Sequence, residues 1–146
     1  MHEFAEEMRQ RTFRFTVRVI TFCRTLPDTW IAREIGRQLL RAGMGVSGNY
    51  WSACRGRSSA EFIAKLAVAA DEAEENVPWL TALVQAGVRE DRETKELIQE
   101  GRELRAILAK SVKTARENRR QGSKRAKRPI TNSPTDQLAH SNEGLP

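Results

Sequence analysis

Residues 41–80 read RAGMGVSGNYWSACRGRSSAEFIAKLAVAADEAEENVPWL, and this stretch decides the fold. A small-residue, glycine-rich approach leads into Asn49-Tyr50-Trp51. A turn follows at Arg55-Gly56-Arg57-Ser58-Ser59, and then a long amphipathic segment. The pattern is the end of one helix, a tight connection and the start of an antiparallel partner. Ser58 or Ser59 is placed to cap the second helix, with Glu61 in its first turn to complement the helix dipole.

Gly43, Gly45 and Gly48 spell G-x-G-x-x-G inside the first helix of this hairpin. A dinucleotide site needs a preceding strand and a βαβ unit, and here a helical pattern runs through the glycines. Three helix-interior glycines cost roughly 3 kcal/mol relative to alanine. Close helix–helix approach or a local bend is the expected return.

Working outward, the first helix of the hairpin extends back to about Thr29, with Asp28 as its expected cap. Its expected core stripe is Ile31, Ile35, Leu39, Ala42, Val46, Asn49 and Ala53. The other face carries Arg33, Arg37 and Arg41, then Met44, Trp51 and Arg55. Arginines interleaved with an aromatic ring suit phosphates and stacked bases. A solvated arginine face, with Trp51 in a subunit contact, is the other reading. The second helix should place Phe62, Leu66, Ala69, Ala73, Leu80 and Leu83 inside, kink before Pro78 and end at Gly87.

A helix from about Phe4 to Leu26 precedes the hairpin. Phe4, Met8, Phe15, Val19, Phe22 and Leu26 follow helical steps along one face, and Phe13, Val17 and Ile20 line the opposite one. Two stripes imply burial on two sides, by the bundle and by a neighbouring subunit; a fully buried central helix is the alternative. Arg14 and Arg18 lie between the stripes. A helix opened by Glu90 or Asp91 follows the hairpin and runs to about Arg119, with Leu97, Gly101, Leu104, Leu108 and Ala115 inside. Lys124, Arg125, Lys127 and Arg128 lie in a basic cluster, RRQGSKRAKR, ahead of a polar, proline-containing end. The expected plan is an all-α, up-down antiparallel four-helix bundle over residues 1–120. A disordered basic and polar tail over 121–146 completes it.

The 146 residues carry a net charge of +6, unevenly placed. Residues 8–57 hold ten arginines against Asp28 and Glu34, whereas 58–118 hold nine basic and twelve acidic groups. One half of the body and the tail could therefore face a polyanion. His2 and His140 stand at the two ends, which removes the commonest general base and metal ligand from the body. No Glu-x-x-His pair suggests a di-iron bundle. Cys23 and Cys54 lack metal-ligand neighbours and are expected to be buried small hydrophobes, unpaired as in a reducing cytoplasm. No apolar run is long enough for a membrane span, and the acidic start lacks the core of a secretory signal. The chain is read as a cytoplasmic protein that is not an enzyme, with no cofactor and no metal.

Arg41-Ala42, Asn49-Tyr50, Ala53, Ser58, Glu61-Phe62-Ile63, Lys65-Leu66, Glu72, Glu75 and Trp79-Leu80 keep an order and spacing that resembles a known family. These are the four-helix-bundle proteins encoded in intervening sequences of bacterial 23S ribosomal RNA. The resemblance is nearest a subgroup that includes the accessory variability protein of diversity-generating retroelements, and the four-segment plan extends it over residues 4–118. Ser52 stands where a glutamate is usual, and Asn76-Val77-Pro78 replaces a regular helical stretch. The resemblance implies a barrel-shaped homopentamer with a basic surface that binds RNA or DNA. In the retroelement subgroup it implies a complex with a reverse transcriptase and its template RNA. The expected nucleic-acid contacts are Arg14, Arg18, Arg33, Arg37, Arg41, Trp51, Arg55, Arg57, Lys124, Arg125, Lys127 and Arg128. The expected oligomer contact is Phe13, Val17 and Ile20. A protein–protein scaffold, its arginines paired across subunits with the acidic half, is the alternative.

Overall fold

A computed structural model describes residues 2–128. Helices α1 (His2–Arg24), α2 (Trp30–Cys54), α3 (Ser59–Gln85) and α4 (Arg92–Ala126) account for nearly all of them. Each helix packs on the next, and α4 returns to α1. Short connections make the neighbours antiparallel, so the architecture is an up-down bundle as expected. The expected helix-to-tail boundary moves: α4 continues through residues 121–126, and the remainder of the expected tail lies outside the described residues.

Local chemistry explains the helix ends. Ser58 accepts from the Glu61 amide, while the Glu61 carboxylate accepts from the Arg57 amide, which satisfies two orphan donors at the start of α3. Asp91 accepts from both the amide and the hydroxyl of Thr94 at the start of α4. Gly87, with φ +69°, supplies the left-handed residue after α3. The cap of α2 is Thr29 rather than Asp28: Thr29 accepts from the Ala32 amide, and Asp28 instead pairs with Arg33.

The core is built from Phe15, Val19 and Phe22 of α1, Leu39 and Val46 of α2, Leu66, Leu80 and Leu83 of α3, and Leu97, Leu104 and Leu108 of α4. Burying each such side chain contributes roughly 1.5–3 kcal/mol. Two of the three glycines in the G-x-G-x-x-G run of α2 permit close approach. A Cβ on Gly43 would lie 2.8 Å from Val19 Cγ1, and one on Gly45 would lie 2.9 Å from the Glu72 side chain. The Thr16 hydroxyl bonds the Gly43 carbonyl at 2.6 Å and shares a hydrogen bond with Ser47 at 2.8 Å, fastening α1 to α2.

Several expected core positions are corrected. Ile31 is 49% exposed, because Ala32 takes the inward position in the first turn of α2. Tyr50 is buried where Asn49 was expected, and Asn49 is half-buried with its amide donating to the Gly45 carbonyl. Phe4 is 51% exposed, in the first turn of α1. Cys54 is exposed at the end of α2, while Cys23 lies against the Gly36 carbonyl, its burial pushing the thiol pKa up.

Candidate nucleic-acid interface

The helix arrangement divides the expected contact residues into three groups. The first is spent inside the chain. Arg18 donates to Glu93 and Glu96 of α4, and Arg41 pairs with Glu75 of α3. Arg11, not among the expected contacts, adds a further tie: its guanidinium grips Glu100 at 2.8 and 2.9 Å and Glu103 at 2.7 Å. The hydrogen bond to Glu100 raises the Arg11 pKa further. These pairs draw α1 to α4 and α2 to α3.

The second group lies on the outer face shared by α1 and α2. Arg33 pairs with Asp28 and Arg37 with Glu34, both at exposed positions where such pairs contribute little. Met44 and Trp51 share this face of α2, and Trp51 meets Phe13 of α1 with ring centroids 5.8 Å apart. The expected stacking residue and the expected oligomer stripe thus occupy one surface. A subunit seated on Phe13, Val17 and Ile20 would cover Trp51 as well.

The third group stands at one end of the bundle. Antiparallel packing brings the α2–α3 turn, with Arg55 and Arg57, to the same end as the last turns of α4. Arg116, Arg119 and Arg120 project there, lining a groove with Ala60, Ile63 and Ala64 of α3. Lys124, Arg125, Lys127 and Arg128 continue the run. Among the described residues, Arg14, Arg55, Arg57 and the seven basic residues of 116–128 form no ion pair, although eleven pairs occur elsewhere in the bundle. Residues 116–128 carry those seven cations against Glu117 alone, and every one of them is exposed. Arg116, Arg119 and Arg120 were not among the expected contacts. The signal for them was the helical period of α4, whose inward stripe passes after Val112 to Arg116, Arg119 and Arg120.

Among the described residues, no cluster of His, Cys, Asp or Glu could hold a metal ion, and no helix is long and apolar enough to cross a membrane. Glu72 is, among the described residues, the one carboxylate set against its surroundings. Burial and then the neighbouring Glu75 raise its pKa, and its Oε2 is buried without a hydrogen-bond partner.

Known proteins match this arrangement at the level of family and fold. A crystal structure from Bacteroides thetaiotaomicron, a protein with unknown function from the S23 ribosomal protein family, superposes with a TM-score of 0.69. It is 24% identical and covers 75% of this chain and 97% of its own, which supports the fold. No curated protein matches the chain. Residues 6–110, more than half of the chain and including most of all four helices, match the family described as 23S rRNA-intervening sequence protein. The chain belongs to the 23S rRNA-intervening sequence protein family.

Proposed function

We propose that this protein is a nonenzymatic, oligomeric scaffold that binds nucleic acid through the cationic end of its bundle. The carrying observation is the set of basic residues at Arg55, Arg57 and 116–128 that form no ion pair among the described residues, all on one end and all exposed. Arginine forks suit phosphate oxygens, and their neutralisation releases counterions. The proposed contacts therefore shift from the α2 stripe of Arg33, Arg37 and Arg41 toward the α4 end. In its narrower form, the proposal makes the chain an accessory subunit of a diversity-generating retroelement reverse transcriptase, binding template RNA or cDNA in a homopentamer. The resemblance carried by Asn49-Tyr50 and Trp79-Leu80 supports that form.

A second reading is favoured by a different observation. Arg11, Arg18 and Arg41 are already matched to carboxylates of α3 and α4, as in a scaffold whose charges serve assembly alone. Fluorescence anisotropy with a labelled single-stranded RNA and a DNA duplex, titrated with salt, separates the two. The nucleic-acid reading expects affinity to fall steeply with salt, and the Arg116→Glu/Arg119→Glu/Arg120→Glu variant to bind at least tenfold more weakly. Binding that is absent, or indifferent to these substitutions, supports the scaffold reading instead.

A further inference from the structure

The α1–α2 outer face and the outer face of α3 are unlike in charge and alike in being apolar. On α1, Phe13, Val17 and Ile20 form one stripe, and the next helical step brings Arg24. Beside it on α2 stand Met44 and Trp51, with Arg33 and Arg37 on the same face. Phe13 is 50% exposed, Met44 54% and Trp51 45%. Five large apolar side chains on one surface mark an interaction site rather than a solvated face.

The outer face of α3 is its counterpart. Val68, Asp71, Glu75, Pro78 and Ala82 follow steps of three and four, so they share one stripe. Val68 is 41% exposed, and Trp79 next to the stripe is 36% exposed. A groove of about 550 Å³ runs along this side, with Val77, Pro78 and Ala82 apolar and with Asp71, Glu74 and Glu75 at its edge. From Leu66 to Gln85, α3 carries four acids and no basic residue. Asp71 forms no ion pair among the described residues, and Glu74 meets Arg105 only at 3.6 Å.

We infer that the α1–α2 face of one copy seats on the α3 face of the next copy, around Pro78. The inference rests on the reading that Phe13, Val17 and Ile20 form a subunit contact, and it names the surface they contact. Two α1–α2 faces brought together would oppose Arg24, Arg33 and Arg37 to themselves. Two α3 faces would oppose Asp71, Glu74 and Glu75. Pairing the unlike faces removes both repulsions and matches arginine to carboxylate. The exposed Arg33–Asp28 and Arg37–Glu34 pairs are weak enough to exchange partners. A contact between unlike faces repeats head to tail, so it generates a ring or an open chain rather than a closed dimer.

Light scattering of four samples tests this. Wild-type protein is expected as a multimer. Phe13→Asp/Val17→Asp and Asp71→Arg/Glu74→Arg are each expected at the mass of one chain, because each loses one half of the contact. Mixed in equal amounts, the two variants are expected at the mass of two chains, since one intact face of each kind remains. All four substituted side chains are exposed, and circular dichroism should show unchanged helicity. Val68→Lys gives the same expected result and serves if the α3 double variant loses helicity. The inference is overturned if the folded α3 variants keep the wild-type mass, if the folded mixture stays at the mass of one chain, or if the wild-type protein is a monomer. The first of these leaves Phe13 and Val17 as a self-complementary contact, and none of them alters the salt-dependent binding test.

Discussion

The guanidinium of Arg89 lies over the ring of Phe22, its central carbon 3.9 Å from the ring centroid. The same side chain donates to the Phe22 carbonyl at 3.0 Å and to the Thr25 hydroxyl at 2.6 Å, and pairs with Asp91 at 2.9 Å. One arginine therefore ties the α3–α4 loop to the end of α1, using its flat face and its fork together. Arg89→Ala should cost about 2–3 kcal/mol in urea denaturation. Arg89→Lys should recover less than half, because an ammonium cannot stack and fork at once. Equal stability of the lysine variant and wild type would show that charge alone matters there.

Gly43 and Gly48 should respond to alanine in opposite directions. At Gly43 the new methyl would collide with Val19, and overpacking of this kind costs about 1–3 kcal/mol. At Gly48 it would meet nothing within 4 Å, so the helix-propensity gain of about 1 kcal/mol should appear undiminished. Paired thermal melts check this, and a stabilised Gly43→Ala protein would mean that α1 can move away without loss.

Two carboxylates predict pH effects of opposite sign. Hydrogen bonds from Thr94 hold Asp91 at a pKa of about 2, below its ordinary value. Its contribution is present above the unfolded pKa and is lost as pH falls toward about 2. Asp91→Ala should therefore cost about 1 kcal/mol near pH 7 and little near pH 2. For Glu72 the folded pKa is raised, so its ionisation costs stability as pH climbs past the ordinary carboxylate value, and the penalty persists above. Glu72→Gln should stabilise the protein at pH 7 and change it little near about pH 4. Urea midpoints at both values decide, and a Gln gain independent of pH would assign the effect to packing.

Single substitutions should sort the arginines by salt dependence. If Arg119 neutralises one phosphate, Arg119→Gln lowers the slope of log affinity against log salt by about 0.7–0.9. Arg18→Gln should leave that slope unchanged, because Arg18 is engaged by Glu93 and Glu96. A drop at Arg18 with none at Arg119 would return the interface to the α1 side.

The helices were legible in the sequence because their apolar period and caps are local. Ser58, Asp91 and Gly87 act within a turn of their own position, so spacing alone reveals them. Ile31 was misplaced for the same reason: periodicity fixes a stripe to within one residue, while packing chooses which neighbour turns inward, here Ala32. The arginines were harder. Composition counted ten in the first half, but whether Arg11, Arg18 and Arg41 are open to a ligand depends on carboxylates some 30 to 90 positions away. Arg41 meets Glu75 and Arg11 meets Glu100 through the bundle's closure, which no local pattern encodes. Arg116, Arg119 and Arg120 were not legible as a group, because the apolar period that marks α4 fades before them while the helix itself runs on to Ala126.

Core burial on α4 stops at Val112, with Ala115 only partly covered, yet the helix continues to Ala126. Its final turns have few tertiary contacts to hold them, and closely spaced cations weaken them further. Their amides should exchange with deuterium by fraying, while those near Leu104 wait for global opening. The charge is thus carried where reshaping the backbone costs least, and under the proposed function this arm would follow the contour of a polyanion while the interior stays rigid.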